Sequence, residues 1–295
     1  MTWKILGVRV DFGLKIKDVL FLIEEKFLKD EASHYICTTN AEFIMEAQKS
    51  REFVDIINKS DLSVSDGAGV VFASHYLNKV SKMKRTIFFP VKCLFSGLSI
   101  GFSSFGNKEI ISERITGVEL TEKICELSAK KDYSVFFLGG WPKNFLGSPV
   151  KTPSFDLAQK AREHVHLMYP KTNIIGASSK FSYKSRDDKP TVEYIKECMS
   201  AHGVKTLDFL LVGYGHYKQE AWIVRNIHKI PVRVSIGVGG TFDYLSKLKK
   251  RSPKPIENLN LEWFFKLITQ PWRVRRILNA SLVFPIRVYI NSLKH

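Results

Sequence analysis

Short apolar runs alternate with longer amphipathic segments along this chain, and most of the runs close on a glycine or asparagine turn. Ile5–Val10, Tyr35–Thr38, Leu62–Val64, Tyr133–Leu138, Thr172–Gly176, Phe209–Val212 and Val232–Val238 are β-branched or aromatic runs short enough for buried strands. Between them apolar residues recur at helical spacing. Val19, Leu20, Ile23 and Phe27 share one face of a predicted helix over Lys17–Leu28, and Phe43, Ile44 and Ala47 share a face of one that Asn40 would cap. Further helices are predicted from near Val70, beyond Arg114, over Asp156–His166 and Thr191–His202, and through Trp222 and Val224. No internal repeat is present. Strand, turn, helix and strand in this order predict an open α/β sheet with its site at the carboxyl ends of the strands.

The turns carry the candidate chemistry. Gly213 and Gly215 follow Phe209–Val212, Gly239 and Gly240 follow Val232–Val238, and Gly139 and Gly140 follow Tyr133–Leu138. Glycines let the backbone approach a ligand, and the N–H groups of the next helix suit a phosphate. A plain strand-to-helix turn explains the same G-x-G spacing. Asp66, in Asp66-Gly67-Ala68-Gly69, reads either as a helix cap or as a carboxylate held beside substrate as a general base. Thr38 and Asn40 fall at the same edge, although capping alone accounts for Asn40. Arg114 reads as a surface ion-pair member or as a planar clamp on a diphosphate.

Charge changes this picture. The 295 residues carry a formal net charge of +16, and Lys247–His295 hold eleven Lys and Arg against two acids, a net +9. Aromatic and aliphatic residues interleave with these cations, from Trp263, Phe264 and Trp272 to Arg273, Arg276 and Arg287. That mixture suits a helix lying on an acidic lipid surface better than a solvated tail. Nucleic acid is the rival polyanion, but no recognition helix, RNP-like or zinc-finger pattern is present. Residues 78–112, Phe- and Gly-rich with cations at the edges, fit either a loop dipping into a membrane interface or an excursion packed on the body.

Four scattered cysteines without C-x-x-C predict neither a zinc site nor a disulfide framework and suit a reducing cytoplasm. The N-terminus lacks a signal-peptide core, and no apolar run is long enough to span a bilayer. His164 and His166 do not share a helical face, and Asp187-Asp188 in a Lys-rich loop reads as solvated, so neither a metal nor any other cofactor is expected.

Taken together the motifs resemble those of the bacterial WecG/TagA/CpsF glycosyltransferase family. They are T-x-N-x-E-F at Thr38–Phe43, DGAGV at Asp66–Val70, ERITG at Glu113–Gly117, FLGG at Phe137–Gly140 and YP at Tyr169-Pro170. GYGHYKQE at Gly213–Glu220, IGVGGTFDY at Ile236–Tyr244, RSP at Arg251–Pro253 and LEWFFKLITQPWRVRR at Leu261–Arg276 complete the order. The resemblance implies an inverting, metal-independent transfer of a sugar from a UDP-sugar to a polyprenyl-diphosphate-linked saccharide. It also implies a Rossmann-like α/β core over residues 1–246 and a C-terminal helical membrane-associating appendage over 247–295, peripheral to the cytoplasmic membrane face. By motif position Asp66 takes the catalytic-base role. Thr38, Asn40, Arg114, Gly139, Gly213, Gly215, Gln219, Glu220 and Gly239 are expected to bind substrate, and Arg251, Arg273 and Arg276 to meet acceptor diphosphate or lipid. Partners are then the UDP-sugar, the lipid-linked acceptor and anionic lipid rather than nucleic acid, with a homo-oligomer left open. A non-catalytic scaffold is the other alternative, and the joint presence of Asp66 and Lys218-Gln219-Glu220 speaks against it.

Three departures stand out. Tyr217 occupies the family's usual proline, Lys247 the usual glycine, and residues 78–112 exceed the family's usual short link.

Overall fold

The structure, a computed structural model, describes residues 1–103, 113–142, 148–150, 153–253, 255–256, 259 and 261–294. The chain opens with a hairpin, β1 (Thr2–Ile5) and β2 (Val8–Asp11), where the apolar pattern predicts one strand. Leu6 and Gly7 adopt positive φ of 51° and 83° and reverse the chain in two residues, the geometry that matches strand twist. Helix α1 (Ile16–Leu22) runs on through a π-helical turn at Ile23–Phe27, so Val19, Ile23 and Phe27 are buried along one face as predicted.

β3 (His34–Thr39), α2 (Ala41–Ala47), α3 (Arg51–Asn58), β4 (Leu62–Ser65), α4 (Ala68–Val80) and α5 (Phe89–Ser103) follow. Next come α6 (Gly117–Lys131), β5 (Val135–Leu138), α7 (Leu157–Met168), β6 (Ile174–Ser178) and α8 (Asp188–Ala201). β7 (Leu207–Val212), α9 (Lys218–Asn226), β8 (Val232–Gly237) and a short α10 (Thr241–Leu245) complete the body. The C-terminal segment forms α11 (Glu262–Thr269), α12 (Val274–Leu278), a π-helical turn at Asn279–Val283 and α13 (Phe284–Lys294).

The eight strands lie in the order β1-β2-β4-β3-β8-β7-β5-β6, and every pairing except β1–β2 is parallel. Because both faces are covered, β4, β5 and β6 are buried at every position; β5 reads as an unbroken apolar run, whereas β4 buries Ser63 and Ser65 between apolar neighbours. On one face Val19, Leu120, Ala161 and Phe242, from α1, α6, α7 and α10, pack on Ile36, Phe137 and Leu211. On the other, Phe43, Phe53 and Val70 from α2, α3 and α4 pack with Cys37, and Ile195 and Trp222 from α8 and α9 pack on Phe136 and Leu210. The neighbours β3 and β8 therefore send their next helices to opposite faces, α2 to one and α10 to the other. A crevice opens between such strands at their carboxyl ends.

Within residues 78–112, 89–103 form α5, which buries Phe89 and Cys93 against Tyr76 of α4, while 104–112 lie outside the described residues. Residues 143–147 and 151–152 of the expected loop excursion also lie outside them. The C-terminal helices do not hang free. Phe284 and Val288 sit in the same core as α2 and α4, and the hydroxyls of Tyr76 and Ser292 are 2.8 Å apart in the interior. One expectation fails in the α8 region. Asp188 is buried, and Arg225 donates to its two carboxylate oxygens at 3.0 and 3.1 Å, so it is a packed ion pair and not a solvated loop acid.

Candidate functional site

The crevice between β3 and β8 widens into a cavity of about 800 Å³, lined by the carboxyl ends of the central strands on one side and by α5 and the C-terminal helices on the other. Thr38 is the penultimate residue of β3, and its hydroxyl donates to the Gly237 carbonyl at 2.9 Å, tying β3 to β8 at the cavity floor. Asn40 caps α2 as its spacing predicts, its side-chain oxygen accepting from Phe43 N–H at 3.0 Å. Asp66 follows β4, and its own N–H donates to the Thr39 carbonyl at 2.8 Å. Gly67 then takes φ 104°, which a side chain would resist, and turns the chain into α4 with no side-chain cap. Asp66 is thereby set on the cavity wall at the mouth of a helix whose first N–H groups lack a capping partner from Gly67.

Gln219 joins the two glycine turns. Its Oε1 accepts from Gly239 N–H at 2.9 Å and Gly215 N–H at 3.1 Å, and its Nε2 donates to Glu220 Oε1 at 2.6 Å. Both side chains are buried. Burial pushes the Glu220 carboxyl up to about 8, so it is mostly protonated at neutral pH, and its Oε2 has no hydrogen-bond partner. Tyr217 stands at φ 66°, which proline cannot adopt, with its ring edge-on to Phe53. Lys247 sits at φ 58°, the left-handed region that favours glycine.

Cations line the opposite wall. Arg114 lies beside the start of α6 and pairs with Glu262 of α11 at 3.1 Å, with its side chain only 10% exposed. Arg273 pairs with Glu42 of α2 at 3.2 Å, and Arg276 donates to the same carboxylate. Arg251 pairs with Glu122 at 3.2 Å, and Lys249 with Asp243 at 2.9 Å. Burial alone would raise the Glu42 carboxyl, but the Arg273 and Arg276 guanidiniums outweigh it and hold the group below its ordinary value. His216, 3.1 Å from Arg276, is pushed down to about 4, first by burial and then by that guanidinium, so it is neutral. Arg114 and Arg273 each keep a buried Nε without a hydrogen-bond partner.

Of the residues singled out from sequence, Thr38, Asn40, Asp66, Arg114, Gly215, Gln219, Gly239, Arg251, Arg273 and Arg276 all line this cavity. Gly139, Gly213 and Glu220 lie behind the lining. A Cβ on Gly139 would come within 2.6 Å of Tyr214, and one on Gly213 within 2.8 Å of Phe242, so these glycines serve close packing. Sequence reasoning passed over Glu42 and His216, which sit inside the recognised T-x-N-x-E-F and GYGH stretches and gather the C-terminal arginines. Among the described residues no group of three or more His, Cys, Asp and Glu is placed to hold a metal ion.

The fold and site together define a mostly parallel α/β protein with a charged cavity at the point where its strand order reverses. The pattern of the glycosyl transferase WecG/TagA/CpsF family matches residues 3–91 and 96–295, and the chain belongs to that family. It is 27% identical over 257 residues to the N-acetylglucosaminyldiphosphoundecaprenol N-acetyl-beta-D-mannosaminyltransferase of Bacillus subtilis (strain 168), covering 87% of this chain and 80% of that one. It is 26% identical over 248 residues to the protein of the same name from Staphylococcus aureus (strain NCTC 8325 / PS 47), covering 84% and 77%. Of residues 78–112, only 92–95 fall outside the family match.

Proposed function

We propose that the protein transfers an N-acetylmannosamine-type sugar or a hexose from a UDP-sugar to a polyprenyl-diphosphate-linked saccharide, with inversion and without a divalent metal. The carrying observation is the placement of Asp66, a carboxylate on the wall of a cavity whose other walls hold the glycine turns at Gly215 and Gly239 and the guanidiniums of Arg114, Arg251 and Arg273. Asp66 takes the proton from the acceptor hydroxyl as that oxygen bonds to the sugar anomeric carbon. The bond from that carbon to the diphosphate breaks, and its electron pair leaves with UDP. Charge then builds on the diphosphate, where Arg114, Arg251 and Arg273 can receive it. The buried Nε groups of Arg114 and Arg273 are donors with no partner of their own, which suits an anionic ligand. The lipid-linked acceptor is supported by the names of the relatives, whose acceptor is a diphosphoundecaprenol-linked N-acetylglucosamine.

In this reading the protein works peripherally at the cytoplasmic membrane face. Among the described residues no helix is long and apolar enough to cross a membrane. The test is a donor screen with purified protein, a panel of UDP-sugars and a short-chain polyprenyl-diphosphate-GlcNAc acceptor, with and without EDTA. A disaccharide product insensitive to EDTA is expected. EDTA-sensitive transfer would contradict the metal-free mechanism, and transfer only from another nucleotide sugar would contradict the donor.

A further inference from the structure

Helix α5 is buried on one face and apolar on the other. Phe89, Cys93 and Ser96 face inward, and Gly97 faces the ring of Tyr76. The opposite stripe, Val91, Leu94, Phe95, Leu98 and Phe102, recurs at i, i+3, i+4, i+7 and i+11 and stands in solvent. Phe95 is 66% and Phe102 76% exposed, and Ile87 and Phe88 just before the helix are 88% and 66% exposed. An exposed stripe of this length marks an interaction site in a protein of this size. Leu98 and Phe102 at its far end also line the catalytic cavity, so the stripe runs from open solvent to the cavity mouth.

The surrounding charge points to the partner. Lys79, Lys82, Lys84, Arg85 and Lys92 are all exposed, and the chain carries no Asp or Glu between Asp66 and Glu109. Arg85 lies over the Phe89 ring at 4.9 Å and donates to the Leu293 carbonyl at 3.4 Å, which fixes the cationic edge to α13. α13 is joined to the start of α5 through Tyr289 Oη and the Pro90 carbonyl at 3.3 Å, and it exposes Ile286 and Ile290. Aromatic and aliphatic side chains rimmed by Lys and Arg, with no acid among them, match the interface of a bilayer that contains anionic lipid. A protein partner would more often supply or require acids at such a rim.

We infer that α5 is the membrane-docking element of this enzyme, its Phe-rich stripe lying among the lipid headgroups so that the cavity mouth faces the bilayer. Residues 92–95, at the centre of the stripe, fall outside the family match, whereas Val91, Leu98 and Phe102 lie within it. The inference deepens the proposed function and rests on it only for where the acceptor resides.

The experiment is flotation of the full-length protein with vesicles of phosphatidylcholine containing phosphatidylglycerol, for wild type and for the double variant Phe88→Ser/Phe95→Ser. Neither residue lines the cavity. The wild type is expected to float with the anionic vesicles and only weakly with phosphatidylcholine alone. The variant should bind at least ~10-fold more weakly, because two exposed aromatic anchors are gone. Its melting temperature should be unchanged, as should its transfer to a short-chain acceptor free in solution. Vesicle binding equal to that of wild type in the variant would overturn the inference. So would a wild type that ignores vesicles but self-associates in solution through the same two residues, which would make the stripe an interface between copies. Binding is read without any sugar substrate, so failure of the proposed reaction and failure of membrane docking are seen separately.

Discussion

Thr38, Gln219 and Gly239, on the sheet side of the cavity, are held by hydrogen bonds of 2.9 Å, whereas Leu98, Phe102 and Trp263 on the helical side stand exposed. The sheet side has few ways to move. Its carboxylate and N–H groups sit on strand ends whose register is shared by parallel neighbours. The helical side is joined to it by ion pairs such as Arg114–Glu262 and Arg273–Glu42, and by the core residues Phe284 and Val288. Chemistry that must hold atoms to fractions of an ångström belongs on the first wall, while the long lipid acceptor of the proposed reaction is better served by the second.

The largest effect expected from breaking this division is on stability. Phe284→Ala removes the fully buried ring that α13 places beside Gly69 of α4. It should cost about 3–5 kcal/mol in denaturant unfolding, the usual range for a core Phe. A value below about 1 kcal/mol would mean that the C-terminal helices are not part of the core. By the same logic, deleting residues 274–295 should yield an aggregation-prone chain, not merely one released from membranes.

The buried carboxyl of Glu220 gives a pH test of the sheet wall. Its folded pKa of about 8 lies above the ordinary 4.5, so the unfolded chain releases this proton first. Stability from this group is complete below about pH 4.5 and is lost as pH rises toward about 8. Glu220→Gln cannot ionise and keeps an acceptor for Gln219 Nε2. Its melting temperature should exceed that of wild type at pH 8 and converge with it near pH 5. Parallel curves would show that the carboxyl does not hold its proton.

A smaller effect is expected at the helix cap. Asn40→Ala loses the bond to Phe43 N–H and should cost about 1 kcal/mol of stability. A cost near zero would free Asn40 for a purely substrate-facing role.

Much of this could be read from sequence because parallel strands buried on both faces announce themselves as apolar runs ended by glycine. That logic placed Asp66, Thr38 and Asn40 at one edge. It failed where the apolar pattern says nothing of direction. Ile5–Val10 reads as one strand although Leu6-Gly7 reverses it, and α5 shows no amphipathic period because its outward face is as apolar as its inward one. Asp188 looked solvated because its partner, Arg225, lies 37 residues on. Glycine has the same letter in two roles, so Gly139 and Gly213 were expected at the ligand although they pack behind it. The cluster of Glu42, His216, Arg273 and Arg276 draws on three separate segments, which no local spacing could join.

The most direct test of the account is the turnover number of Asp66→Asn against wild type, measured with the donor identified by the screen and with saturating acceptor. The account predicts an intact fold by melting temperature and a fall in kcat of at least ~100-fold, the scale of losing a general base. Turnover within a few-fold of wild type would remove Asp66 from the proton transfer and with it the proposed mechanism.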